Sequence, residues 1–174
     1  MTPRAVFVGP PGAGKTTVGS AVAEMLRVPF RDTDEDIARQ AGISVADIFV
    51  VHGEPHFRAL ERTAVAAALD QHPGVVALGG GSVLDEGTRR LLVASGAPVV
   101  LLEVGVADAA ARVGFNRDRP LLLGNPRQQW QRLLAARLPL YLEVSDIRVS
   151  TDGRTPAEIA AEVVDRLAAW EESR

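Results

Sequence analysis

Cysteine is absent from the 174 residues, which excludes disulfides and thiolate metal sites and gives no reason to leave the cytoplasm. Long apolar runs are missing too. The N-terminal Ala5-Val6-Phe7-Val8 is too short for the core of a secretory signal, and no later stretch approaches a membrane span. Aromatic residues make up only 5% of the chain, with a single tyrosine, so there is little material for stacking on bases. Net charge is −3 and no basic stripe stands out, so neither nucleic acid nor an anionic membrane is an expected partner. Repeats, linkers and low-complexity tracts are lacking, and a single domain over 1–174 is expected, as a monomer. Lysine is almost absent. Of 19 basic residues only Lys15 is a lysine, and a coding bias toward arginine explains that scarcity but not where the survivor sits.

Against these absences stand 47% hydrophobic and 24% charged residues, enough for a real core. Short apolar runs alternate with helical patterns. Strands are expected at Ala5–Val8, 29–32, 75–78, 98–104 and Ile147–Ser150. Helices are expected at Lys15–Leu26, Glu54–Gln71, Val106–Val113 and Pro126–Val144, with further helical segments after residue 34. One of those opens at Ser44-Val45-Ala46-Asp47, in the form of a capping box. Another capping box, Thr155-Pro156-Ala157-Glu158, starts the last helix, whose Ile159, Val163, Leu167 and Trp170 keep helical spacing. Alternating strands and helices, with strands apolar on both faces, predict an α/β fold: a parallel sheet covered by helices on both sides. A ligand then belongs at the carboxyl ends of the strands.

Gly9-Pro10-Pro11-Gly12-Ala13-Gly14-Lys15-Thr16 matches G-x-x-x-x-G-K-[ST] between a strand and a helix. Glycines let the backbone curl so that N–H groups face phosphate oxygens, and the helix that follows adds its positive end. Lys15 is then the cation for the β- and γ-phosphates, and Thr16 offers a hydroxyl to Mg²⁺. The third strand runs into Gly79-Gly80-Gly81 where many phosphate-loop proteins place a metal-side acid. Asp32 or Asp34 is the available substitute.

Asp32-Thr33-Asp34 ends the second strand, where residues two apart point the same way, so both carboxylates can face the phosphate loop. A turn, or a helix cap made by Asp34, is the competing reading. On a helix, Glu54, Phe57, Arg58 and Glu61 share one face; Arg58 either forks onto a carboxylate ligand or forms a surface pair with Glu61 worth about 0.2–0.5 kcal/mol. The three glycines permit close approach of a ligand or simply turn the chain. Arg137, alone in the apolar Ala135–Tyr141 stretch, either snorkels to water or binds an anion. His52 and His56 are expected to be solvated, and Trp130 and Trp170 to pack.

Together the phosphate loop, Asp32-Thr33-Asp34, Gly53-Glu54-x-x-Phe57-Arg58-x-x-Glu61, Gly79-Gly80-Gly81, Arg119-Pro120-Leu121-Leu122 and Arg137-x-Pro139-x-Tyr141 resemble shikimate kinase, in that family's order. The resemblance implies a three-layer P-loop kinase fold related to nucleoside monophosphate kinases, with a five-stranded parallel sheet. It implies ATP as co-substrate, Mg²⁺ as cofactor and the 3-hydroxyl of shikimate as acceptor, on the route to chorismate and the aromatic amino acids. Carried over by position, Gly12, Ala13, Gly14, Lys15, Thr16 and Thr17 bind ATP, with Arg112, Arg154 and Pro156 around the adenine. Asp34, Arg58, Gly80, Gly81 and Arg137 hold shikimate, within a binding segment of about 34–61 for the first two, and Glu61 orients Arg58. Asp34 and Lys15 are catalytic; Thr16, and Asp32 through water, serve the metal. The segment 114–125 is the implied lid, whose Arg119 reaches the phosphates; Arg117, two residues earlier, is the other candidate for that charge.

Two other readings remain open at the level of sequence. One is a kinase of another small acid such as gluconate, or of a nucleotide. The other is a nucleotide-binding regulator without turnover, although the pattern uses the whole chain and leaves no module for a partner.

Overall fold

Side chains of successive strand residues point to opposite faces of a sheet, and here each face meets its own set of helices. The computed structural model describes residues 1–114 and 125–174. Among these, the strands β1 (Ala5–Val8), β2 (Phe30–Asp32), β3 (Val75–Ala77), β4 (Val99–Glu103) and β5 (Ile147–Ser150) form one parallel sheet in the order β2-β3-β1-β4-β5. On one face Phe7, Ala77, Val100 and Leu102 pack against α1 (Lys15–Leu26) and α8 (Pro156–Glu172). On the other, Val6, Val8, Val76 and Leu101 pack against α4 (Glu54–Gln71), α5 (Glu86–Ser95) and α7 (Pro126–Val144). The central strands β1, β3 and β4 are therefore apolar on both sides, as expected. The edge strand β5 is not: Ile147 and Val149 are buried while Arg148 and Ser150 face water, because only one of its faces is covered.

A smaller core sits to one side. Ile37 of α2 (Thr33–Ala41), Ile48 of α3 (Val45–His52) and Phe57 of α4 bury one another, with Val45, Phe49 and Leu60 around them. This satellite fixes the first turns of α2 and α4 relative to the sheet. A 3-10 turn at Ser82–Leu84 and helix α5 follow β3; α5 is capped by Asp85, whose side chain accepts from the Thr88 N–H, and closed by Gly96. Helix α6 (Val106–Val113) precedes the undescribed segment. The expected capping box of α8 is complete: Thr155 accepts from the Glu158 N–H and Glu158 from the Thr155 N–H. At Ser44 only one half is made, from the Asp47 N–H to the serine hydroxyl.

Candidate active site

Every sheet strand delivers its successor loop to the same edge, and a cavity of about 480 Å³ opens there. Its floor is the phosphate loop between β1 and α1. Gly12 has φ of 85°, a left-handed conformation, and a Cβ placed on it would fall 2.8 Å from Val113. Glycine is thus required both by the backbone and by the packing of α6 on the loop. The first turn of α1 adds Lys15, Thr16 and Thr17 to the lining, and Lys15 Nζ donates to the carbonyls of Gly9 (2.8 Å) and Pro10 (3.1 Å).

Asp32 and Asp34 both line this cavity, but not by strand alternation. The strand ends at Asp32 and Thr33 already belongs to α2, so parity along a strand does not apply. Asp32, not Asp34, is the helix cap: its Oδ1 accepts from the N–H groups of Asp34 (2.9 Å) and Glu35 (3.3 Å). Its Oδ2 accepts from the Thr16 hydroxyl at 2.6 Å, tying α2 to the phosphate loop. Asp34 is in the first turn of α2, and its buried Oδ1 lies against Gly79, where a Cβ would come within 2.6 Å.

Around the corner of Gly79-Gly80-Gly81 lies a second polar cluster. Arg58 donates to Glu61 Oε1 at 2.8 Å and to Glu54 Oε1 at 3.2 Å, with its guanidinium carbon 5.4 Å from the Phe57 ring centre. The pair is not a surface one, since the Glu61 side chain is only 4% exposed. Burial pulls the Arg58 pKa down, but Glu61 and Glu54 outweigh it and hold the guanidinium above its ordinary value. A Cβ on Gly81 would lie 2.4 Å from that guanidinium, so the glycine is what lets Arg58 approach the strand end. Tyr141, fully buried on α7, donates to the Gly80 carbonyl at 2.6 Å. Burial pushes its phenol up to about 12, against the opposing pull of Arg137 and Arg58.

The lining thus unites Gly12, Ala13, Gly14, Lys15, Thr16, Thr17, Asp32, Asp34, Gly80, Arg112, Arg154 and Pro156. Arg58, Gly81 and Arg137 stand outside it, in the adjoining cluster. Arg112 reaches back to the loop, donating to the Gly12 carbonyl (3.2 Å) and to Thr151. Arg154 is held by Glu162 at 2.6 Å; that hydrogen bond, more than the burial opposing it, keeps the Glu162 carboxyl below the ordinary range. Arg117, Arg119 and most of the 114–125 segment lie outside the described residues.

Sequence reasoning missed the parts that act through backbone. Trp130 packs as expected, but its indole also donates to the Pro11 carbonyl at 2.9 Å. The Tyr141–Gly80 bond and the buried Thr151 were not read either. Tyr141 stood in the sequence as the last residue of Arg137-x-Pro139-x-Tyr141 and as the sole tyrosine, neither of which points to a backbone partner.

The comparisons with known proteins agree with one another. A family model described as shikimate kinase matches residues 11–168. A shikimate kinase of Saccharopolyspora erythraea is 56% identical over 170 residues, spanning 97% of this chain and 96% of the relative. The solved structure of shikimate kinase from Acinetobacter baumannii in complex with shikimate superposes with a TM-score of 0.91 at 34% identity, covering 97% of this chain and 94% of that one. A gluconokinase from Sinorhizobium meliloti shares the fold alone, with a TM-score of 0.57 and 23% identity over 97% of this chain and 93% of that one.

Proposed function

The chain belongs to the shikimate kinase family, and from that premise we propose how its residues carry the γ-phosphate of ATP to the 3-hydroxyl of shikimate, giving shikimate 3-phosphate and ADP. The observation that carries the reading is the continuity of the phosphate-loop cavity with Asp34 and Gly80, beside the part-buried Arg58–Glu61 pair.

Phosphoryl transfer asks mainly for positioning and charge neutralisation. The N–H groups from Gly12 to Thr17 and the Lys15 ammonium hold the phosphates, with Arg112, Arg154 and Pro156 at the nucleoside end. Arg58 and Arg137 take the carboxylate of shikimate, Gly80 and Gly81 admit its ring, and Asp34 orients the attacking hydroxyl. The hydroxyl oxygen bonds to the γ-phosphorus in line, the bond to the bridging oxygen of ADP breaks, and the proton passes to Asp34. Glu61 holds the Arg58 fork in place. Arg119, in Arg119-Pro120-Leu121-Leu122, supplies a further cation to the transferring group, by motif position.

Thr16 and Asp32 fit Mg²⁺. Both are oxygen donors joined at the phosphate end of the cavity, and no cage of three acidic or imidazole side chains exists among the described residues, as suits an ion bound largely by water and phosphate. The ion supplies positive charge against the phosphates. The enzyme works as a monomer in the cytoplasm, without nucleic acid or membrane; no helix among the described residues is long and apolar enough to cross a membrane.

Substituting Asp34→Asn tests the assignment of the base. The expected result is a kcat lower by about 10²–10⁴-fold with shikimate still bound. A variant that keeps most of its kcat contradicts the role given to Asp34.

A further inference from the structure

We infer that Trp130 is a positioning residue of the phosphate loop: its indole N–H, by holding the Pro11 carbonyl outward, aims the Gly12 N–H at the bound nucleotide's phosphates. The inference rests on the phosphate-loop reading above. A trans peptide is planar, so the carbonyl of one residue and the N–H of the next point in opposite directions. All peptide bonds described here are trans. Fixing the Pro11 carbonyl therefore fixes the Gly12 N–H, whereas the next N–H, that of Ala13, donates within the loop to the Pro10 carbonyl at 3.2 Å.

Gly12 matters more than an average loop residue. Pro10 and Pro11 have no N–H, so the Gly12 N–H is the first donor the loop offers after Gly9. Glycine at 12 also imposes no rotational preference of its own, so the peptide needs an external restraint. Trp130 supplies it from α7, is only 3% exposed, and does not line the cavity, so it acts through Pro11 and not on the ligand. The four carbonyls from Gly9 to Gly12 all accept from side chains: two from Lys15, one from Trp130 and one from Arg112. Lys15 and Arg112 themselves line the cavity, so the Pro11 carbonyl is the one of the four held from outside it, and its satisfaction there leaves the Gly12 N–H to an anion.

The test replaces Trp130 by 3-benzothienylalanine, which keeps the bicyclic shape and lacks the N–H, with Trp130→Phe as a second variant. ADP affinity by calorimetry, KM for ATP and for shikimate, and the melting temperature are measured for each. With the isostere, ADP affinity should fall and KM for ATP rise by about fivefold, the factor for one lost hydrogen bond, while KM for shikimate stays within about twofold. The melting temperature of the ligand-free isostere variant should fall by only about 2–4 °C, the shift that goes with one lost hydrogen bond. Unchanged ADP affinity and ATP KM in the isostere, or equal losses for both substrates, would overturn the inference and leave Trp130 as packing. A parent protein that fails to bind ADP at all would instead overturn the phosphate-loop reading beneath it.

Discussion

Arg58 shows how one residue's role is decided by its surroundings. Its spacing from Glu54 and Glu61 is equally that of an exposed helical pair, and nothing in the sequence separates the two cases. Burial does: Glu61 is buried against Gly79, and the guanidinium it holds lies against Gly81 and the Phe57 ring, so Arg58 is fixed from one side and keeps donors for a ligand. Lysine cannot reproduce that fork. Arg58→Lys should raise KM for shikimate by about tenfold or more, the cost of losing a charge-assisted pair, with KM for ATP little changed. Steady-state kinetics with each substrate varied in turn will read this, and equal effects on both would contradict the assignment. Tyr141 offers a second check because it is the only tyrosine. Its phenol is pushed up to about 12 in the folded protein from an ordinary 10.0. The neutral form is thus favoured by folding, and that stability is whole below pH 10.0 and is lost as the pH climbs toward 12. Phenolate absorbance should therefore rise with a midpoint near 12 in the native protein and near 10.0 in denaturant. A native midpoint near the ordinary value would show the hydroxyl to be solvated.

At the scale of elements, the sequence was most legible where a boundary is written in side-chain chemistry. The phosphate loop, α1 and α8 start as expected, because glycines, a proline at the first helical position and a capping box mark those starts. The stretch after Gly81 was not read as helical, although Asp85 caps α5 and Gly96 ends it. Its buried residues are Thr88 and Leu92, one of them polar, while the apolar Leu91 and Val93 are exposed, so apolar residues do not mark its buried face. Asp32-Thr33-Asp34 does lie beside the loop but not by strand parity, since the strand stops two residues short of Asp34. Strand length depends on pairing with β3, which no local pattern encodes. Thr155→Ala removes one half of the capping box of α8 and should cost about 1 kcal/mol in urea denaturation, with kcat unchanged. An undiminished stability would mean that α8 is held by its packing on α1 alone.

For the whole molecule, the five-stranded parallel sheet and its two helical layers follow from the alternation of apolar runs and helical patterns, and they were legible without coordinates. The way the site is assembled was not. Loops from β1, β2 and β3 meet at one edge of the sheet, and the satellite core of α2, α3 and α4 brings Asp34 and Arg58 to the same corner. These are contacts between residues far apart in sequence, for which spacing along the chain carries no signal. The account's central claim is that this one edge joins a phosphate loop to a carboxylate-binding corner shaped for shikimate. It is tested most directly by coupled ADP release with Mg-ATP, comparing shikimate, gluconate and nucleoside monophosphates at equal concentration. The account predicts turnover with shikimate alone; turnover with another acceptor and none with shikimate would contradict the roles given to Arg58 and Arg137 while leaving the phosphate loop in place.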